Sequence, residues 1–392
     1  MLYSIALIIL VGMAAGWLCK KVKLPALLGM VLTGIVLGPH VLNQIDESIL
    51  LISADLRKIA LIIILARAGL TLDVSDLKKV GRPALLMCFV PAVFEITGSI
   101  ILAPMLLHVT RIEAAVIGSV LAAVSPAVVV PKMIKLIDEK YGTREGIPQL
   151  ILAGASVDDA TVIVMFTAFT TLASGGKVSV ISFVNIPVSI ILGILIGLLA
   201  GFLLSEFYER FHMRDTVKVA VMLSVCFLLV TFEAMIKLPI TFAALISVMT
   251  MGIALSRRKK EVSKRVAVKL NQLWVVFEVM LFVLVGATVD ISYVKKAGIA
   301  AVVMIFGALV FRMLGVAVSL LHTKLNLKER LFCALAYTPK ATVQAAIGGV
   351  PLAMGLSCGN LVLTTAVLAI LITAPIGAFM IDLTYKTFLK EE

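Results

Sequence analysis

Two adjacent acidic residues stand inside a long apolar stretch. Asp158 and Asp159 lie in the segment GASVDDAT, residues 154–161, between runs of aliphatic residues. A charge at mid-membrane costs about 2.5–3.5 kcal/mol on insertion scales, so such residues are candidates for function. Burial favours the protonated form of a carboxylate, and a nearby cation favours the charged form. A carboxylate held between these influences binds either a proton or a hard monovalent cation, which is the competition that an exchanger needs.

The two carboxylates can serve different partners. Adjacent residues of an α-helix point about 100° apart, because 3.6 residues make one turn. One aspartate can therefore face a water-filled cavity while the other meets a basic residue on a neighbouring helix. The alternative for Asp158 and Asp159 is a salt bridge within a helix bundle that has no transport role.

Five further charged residues lie within apolar runs, namely Glu95, Arg312, Lys340, Arg67 and Glu278. Glu95 and Arg312 are expected to pair across their helices, because each would otherwise be a lone buried charge, and this pairing is expected to be structural. Lys340 directly follows Pro339, where it could compensate Asp158 or the partial charges of an interrupted helix. A lysine that extends to the membrane interface is the alternative.

Proline interrupts two apolar stretches in a similar way. The segment AVSPAVVV at 123–130 parallels AYTPKATV at 336–343. Pro126, Pro131 and Pro339 remove backbone donors and disfavour helix just before them. The freed carbonyls can then coordinate a cation, and the half-helix ends present dipole charge to it. Two unrelated Ser/Thr-Pro kinks are the alternative.

The composition belongs to a bilayer protein. The 392 residues are 61% hydrophobic and 15% charged, against about 45–50% apolar and about 25% charged in soluble domains. We predict an all-α membrane protein with about 13 transmembrane helices, arranged as inverted repeats with two broken helices. The predicted helices cover 2–18, 24–39, 57–72, 83–106, 112–131, 148–172, 178–204, 215–234, 238–255, 266–288, 298–321, 329–353 and 359–384.

The charge pattern predicts the orientation and disfavours nucleic acid as a partner. With alternating helices, 25 of the 35 lysine and arginine residues fall on one side, 7 on the other and 3 within spans. This places the N-terminus outside and the C-terminus in the cytoplasm. The net charge of +12 arises from short loops between apolar runs. The compact length favours a bacterial inner membrane, and the chain has no GxGxxG, Walker A or HExxH motif for a cofactor.

The paired aspartates, Ser125-Pro126 and the segment TPKATVQAA at 338–346 resemble the monovalent cation/proton antiporters with paired aspartates, most closely the NHA-type sodium/proton antiporters. The resemblance implies that Asp159 is the main ion and proton carrier and that Asp158 assists. The other residues that it marks for the ion site are Ser156, Ser125 and Val128, with Lys340, Arg312 and Glu95 for charge compensation and Pro126, Pro131, Thr338 and Pro339 at the broken helices.

The same resemblance implies a NhaA/NapA-like antiporter fold that works as a homodimer in the lipid bilayer. Residues 1–82 and 215–290 would form a dimerisation panel, and residues 83–172 and 298–384 an ion-transporting core, with 178–204 as the linker helix. The core would move like an elevator against the panel and exchange sodium or lithium for protons. Arg312 stands where several relatives carry a lysine, which leaves the stoichiometry open.

Other functions remain compatible with parts of the pattern. Potassium/proton exchange and sodium-coupled uptake of an organic anion would keep the fold, although the broken helices offer mainly valine and alanine to a solute. A channel would conduct ions without coupling to protons. An intramembrane aspartyl protease needs two aspartates on different helices, whereas Asp158 and Asp159 are adjacent on one.

Overall fold

The computed structural model describes residues 1–71, 81–175, 180–236 and 242–391, together with their side chains except those of residues 156, 157, 160, 180–187 and 291–297. Within these ranges the regular elements are helices, with one isolated bridge between Tyr141 and Glu391. The helices are α1 Leu2–Lys21, α2 Ala26–Leu37, α3 Glu47–Leu51, α4 Ser53–Thr71, α5 Arg82–Met87, α6 Val90–Leu107, α7 Arg111–Leu121, α8 Pro126–Asp138, α9 Ile147–Ala173, α10 Val180–Arg210, α11 Asp215–Met235, α12 Ala244–Arg258, α13 Lys260–Ala287, α14 Ile291–Ser319, α15 Leu327–Ala336, α16 Thr342–Ile347, α17 Val350–Ala353 and α18 Gly359–Phe388.

Long apolar helices confirm the prediction of an all-helical membrane protein. In the described part of the chain, 8 segments are long and apolar enough to cross a membrane. Three shorter apolar helices, Ala26–Leu37, Thr161–Ala173 and Thr342–Ala353, accompany them. The number of 13 transmembrane helices stays a prediction. The eight segments are Leu2–Lys21, Arg82–Leu107, Arg111–Asp138, Val188–Arg210, Asp215–Met235, Lys260–Ala287, Gly298–Ser319 and Gly359–Phe388.

Three of the predicted apolar runs contain breaks, and two of them are the runs predicted to hold broken helices. The run 112–131 is divided between α7 and α8, with the break at 122–125 directly before Pro126. The run 329–353 is divided into α15, α16 and α17, with a break at 337–341 that contains Pro339. The run 83–106 is interrupted between α5 and α6, where Pro91 occupies the first turn of the new helix. A proline is tolerated there because the first amides of a helix have no intrahelical acceptor.

Pro131 does not break its helix, so this part of the prediction is wrong. Helix α8 continues from Pro126 through Pro131 to Asp138. A proline inside a helix removes one hydrogen bond, but the buried side chains of Val129 and Met133 on either side of it fix α8 against the core. Packing therefore maintains the helix past the missing donor.

The chain forms two compact units. The first consists of the described residues of Met1–Arg57, Ser75–Gly175 and Val279–Glu392, and it contains every residue of the predicted ion site. The second consists of the described residues of Lys58–Val74 and Gly176–Glu278. In the second unit α10 packs along α12, where the hydroxyl of Ser247 donates to the carbonyl of Gly193 at 2.8 Å. The division into dimerisation panel, core and linker stays a prediction.

In the first unit α6 lies along α14. A Cβ added at Gly98 of α6 would lie within 3 Å of the Phe311 side chain, and one at Gly315 of α14 would lie 2.7 Å from the Cα of Pro91. The small residues thus allow the two helices to approach closely. This approach places Glu95 of α6 opposite Arg312 of α14, both of them buried.

Candidate ion-binding site

The two helix breaks meet directly. Helix α7 ends at Leu121 and α8 begins at Pro126, while α15 ends at Ala336 and α16 begins at Thr342. The backbone amide of Ser125 in the first break donates to the carbonyl of Pro339 in the second at 2.8 Å. Non-helical backbone at membrane depth is tolerated only where other groups satisfy it. Here each break supplies part of the other's hydrogen bonding.

One buried arginine ties four elements together at this crossing. The Arg312 guanidinium donates to Glu95 Oε2 on α6 at 2.9 Å and to Asp158 Oδ2 on α9 at 2.8 Å. Its Nε donates to the carbonyl of Tyr337, after α15, at 2.7 Å, and its NH1 also donates to the carbonyl of Ala122, after α7. The planar guanidinium suits this role, because its five donors point in fixed directions.

Lys340 pairs with Glu95. Its Nζ donates to Glu95 Oε2 at 2.6 Å, and its backbone amide donates to Thr373 Oγ1 of α18 at 2.9 Å. Of the two roles considered for Lys340, a direct pair with Asp158 is not formed, because the base on Asp158 is Arg312. Glu95 thus receives both cations on one oxygen, which gives a buried Arg–Glu–Lys cluster that is continuous with Asp158.

The two aspartates differ in their partners. Asp158 Oδ2 accepts hydrogen bonds from Arg312 and from the backbone amide of Val124 at 2.9 Å. Asp159 forms no ion pair with the described residues, although only 5% of it is exposed. The Oδ1 atoms of both aspartates are buried without a hydrogen-bond partner in the described part of the chain. Two acids and two bases therefore balance each other, and Asp159 is a further acid that has no base paired with it among the described residues.

The remaining predicted residues lie around the crossing in different ways. The Ser125 hydroxyl is buried without a partner among the described residues, and Val128 is buried in the first turn of α8. Thr338 Oγ1 donates to the carbonyl of Leu335 at 2.8 Å, so it closes the end of α15. The side chain of Ser156 lies outside the described residues.

Gln344 was not among the site residues predicted from the sequence. Its Nε2 lies 3.1 Å from the carbonyl of Val120, 3.2 Å from that of Leu121 and 2.9 Å from that of Ala123. The carbonyls that the sequence predicted to be free for a cation at the end of α7 thus accept hydrogen bonds from Gln344. Gln344 is the only amide side chain in the run 329–353, which is the signal that could have marked it.

The crossing offers oxygen atoms of the kind that hard cations prefer. In the described residues no group of three or more His, Cys, Asp or Glu residues could hold a metal ion. Carboxylate and hydroxyl oxygens are hard ligands of the kind that hard cations prefer. Asp159, Asp158 and Ser125 each contribute one buried oxygen without a partner in the described part of the chain.

Comparison with known proteins identifies the family. The family model described as the transmembrane part of sodium/hydrogen exchangers matches residues 5–386. The chain belongs to the sodium/hydrogen exchanger family. Human sodium/hydrogen exchanger 9B2 is 33% identical over 409 residues, which cover 100% of this chain and 75% of that protein. Human sodium/hydrogen exchanger 9B1 is 32% identical over 378 residues, covering 92% of this chain and 72% of that protein.

A solved structure shows the same fold. The sodium proton antiporter MjNhaP1 from Methanocaldococcus jannaschii, determined at pH 8, superposes with a TM-score of 0.83 at 19% identity. The match covers 98% of this chain and 97% of that chain. Membership of the exchanger family makes this chain an integral membrane transporter and not an enzyme, which excludes the aspartyl protease. The bacterial membrane and the orientation of the termini stay predictions.

Proposed function

We propose that this exchanger-family protein carries one sodium or lithium ion in exchange for a proton at Asp159, with Asp158 beside it. The observation that supports the assignment is the charge balance of the buried cluster. Glu95 and Asp158 are matched by Arg312 and Lys340 through three contacts of 2.6–2.9 Å, whereas Asp159 has no matching base in the described residues. The names of the sodium/hydrogen exchanger relatives agree with this cargo.

A proton and a monovalent cation compete for the same carboxylate. When Asp159 is ionised the cluster carries one uncompensated negative charge, and an isolated charge in a region of low dielectric constant is costly. Either a proton or a monovalent cation removes that cost. Because both neutralise the same group, binding of one displaces the other, and the protein exchanges them instead of moving them together.

The transport cycle that we propose is an elevator-like movement of a core against a dimerisation panel. The core would comprise residues 83–172 and 298–384, and the panel residues 1–82 and 215–290, in a homodimer with 13 transmembrane helices per chain and a NhaA/NapA-like fold. The crossing of the two breaks supports this assignment, because α7, α8, α15 and α16 all belong to the proposed core and are joined by Ser125 and Pro339. Such a core would carry its ion site as one body.

The test uses proteoliposomes that contain a pH-sensitive dye and carry an imposed proton gradient. Sodium, lithium and potassium are added in turn to the parent protein and to Asp159→Asn. We expect sodium and lithium to dissipate the gradient with the parent and not with the variant. Glu145→Gln, which removes an exposed carboxylate before α9, serves as the control and should behave like the parent. A response to potassium alone would favour potassium/proton exchange, and no response to any of the three cations would overturn the proposal.

A further inference from the structure

The C-terminal end of α7 is capped by side chains from other helices. The last four carbonyls of an α-helix have no intrahelical partner, and inside a membrane water does not replace one. Gln344 Nε2 donates to the carbonyls of Val120, Leu121 and Ala123 at 3.1, 3.2 and 2.9 Å, respectively. The carbonyl of Ala122 accepts a hydrogen bond from the Arg312 guanidinium. Four consecutive carbonyls are thus covered by two residues.

The chemistry of the amide fixes the orientation of Gln344. Its side chain is fully buried, and three carbonyl oxygens face one end of it. Only the NH₂ group can be placed there, because an amide oxygen would be repelled by all three. The Oε1 atom consequently points away from α7, and it has no hydrogen-bond partner in the described part of the chain.

This capping limits which oxygens remain for a cation. In the second break the carbonyl of Tyr337 is bound by Arg312 and that of Pro339 by Ser125. Several side-chain oxygens at the breaks and on the paired aspartates stay buried without a hydrogen bond in the described part of the chain. They are Asp158 Oδ1, Asp159 Oδ1, Ser125 Oγ, Tyr337 Oη, Thr342 Oγ1 and Gln344 Oε1.

We infer that Gln344 is a positioning residue for cation selection: it holds the end of α7 against α16 and occupies the carbonyls that would otherwise compete as ion ligands. The inference rests on the proposed exchange at Asp159. Gln344 acts by occupying the carbonyls at the end of α7, so that the cation is bound by side-chain oxygens at the crossing, and its own Oε1 points away from α7. Loss of the NH₂ group would expose the partial negative charge of the α7 end to the ion.

The test replaces Gln344 by leucine, which is of similar size and has no donor. In proteoliposomes we expect Gln344→Leu to raise the apparent KM for sodium about tenfold with a smaller change in Vmax, because the end of α7 is no longer held against α16 and the oxygens that bind the ion are displaced. We also expect the ratio of the KM values for sodium and potassium to change by at least severalfold, because newly exposed carbonyls do not discriminate as the side chains do. A purely structural role would lower activity for all cations in proportion.

The control is Gln149→Leu, the same substitution in the first turn of α9, where Gln149 Oε1 is also buried without a partner in the described residues. It should leave both KM values unchanged. If Gln344→Leu does not fold, Gln344→Asn keeps the donors but shortens the reach, and a raised KM for sodium is again expected. If the parent exchanges ions and the folded Gln344→Leu variant shows the same KM values and the same ratio of KM for sodium and potassium, the inference is overturned. The proposed function is then unaffected. Absence of exchange by the parent would overturn the proposed function and the inference together.

Discussion

Asp158 and Asp159 are neighbours in the sequence, but of these two aspartates only Asp158 is bound by Arg312. The Arg312 NH2 lies 2.8 Å from Asp158 Oδ2, and the amide of Val124 donates to the same oxygen. Asp159, one residue further along α9, has no such base in the described part of the chain. The 100° turn between adjacent helical residues explains how the two carboxylates reach different surroundings. We therefore propose that Asp158 is a fixed charge of the framework and that Asp159 exchanges its ligand.

Neutralising the two aspartates should have different effects on stability. Asp158→Asn leaves the buried Arg312 without half of its counter-charge, and breaking a buried pair costs about 3–5 kcal/mol. Asp159→Asn removes an unpaired buried charge and should leave stability unchanged or increase it. Thermal unfolding in detergent measures both variants against the parent protein. Equal melting temperatures for the two variants would contradict the division of roles.

Glu95 should be one of the most costly residues to neutralise, because both Arg312 and Lys340 bind its Oε2. Glu95→Gln leaves two buried cations short of a counter-charge and is expected to cost about 3–5 kcal/mol. Adding Lys340→Met should recover part of this loss, since the second mutation removes one of the unmatched charges. The four unfolding transitions of this double-mutant cycle provide the measurement, and strictly additive losses would argue against a shared cluster.

Much of the site was predictable because its physical signals are local. Charged residues in apolar runs are conspicuous, so Asp158, Asp159, Glu95, Arg312 and Lys340 could be selected from the sequence. The breaks before Pro126 and around Pro339 follow from the missing donor and the restricted backbone of proline. These effects need no knowledge of which helices become neighbours.

The partners could not be predicted in the same way. Lys340 binds Glu95 and not Asp158 because Arg312 already occupies Asp158 Oδ2, a choice that depends on how α6, α9 and α14 face each other. Gln344 acquires its role only where the end of α7 lies against α16. Pro131 stays helical because of tertiary packing around α8. Each of these outcomes depends on contacts between residues far apart in the chain.

Close backbone contact between α2 and α13 should make Gly286 intolerant of a side chain. A Cβ at Gly286 would collide with the carbonyl of Val31 and lie 3.1 Å from the Cα of Gly34. We expect Gly286→Ala to cost about 1–3 kcal/mol, as for overpacking of a core. Gly298→Ala is the matched control, since its Cβ would meet no described atom within 4 Å. Its melting temperature should equal or exceed that of the parent, and equal losses at the two sites would contradict the close approach.

Tyr141 should link the end of the chain to the loop between α8 and α9. Its hydroxyl donates to Glu391 Oε2 at 2.6 Å, and this hydrogen bond is the main reason that the pKa of Tyr141 is raised from 10.0 to about 12. A raised pKa means that the neutral phenol is favoured in the folded state. The contact is therefore fully present below pH 10 and is lost as the pH rises through about 12. The difference in tyrosinate absorbance between the parent and Tyr141→Phe should titrate near 12, and a midpoint near 10 would show that the contact is absent.

The charge balance of the cluster predicts electroneutral exchange. Arg312 and Lys340 compensate Glu95 and Asp158, so one proton or one monovalent cation at Asp159 brings the total to zero. Transport in proteoliposomes should then be insensitive to a membrane potential set by potassium and valinomycin, whose effect on one moving charge is about 2.3 kcal/mol per 100 mV. Lys340→Gln distinguishes the alternative, in which Lys340 also releases a proton in each cycle. A parent that responds to the potential, together with a Lys340→Gln variant that does not, would show that Lys340 takes part in transport and is not a fixed charge.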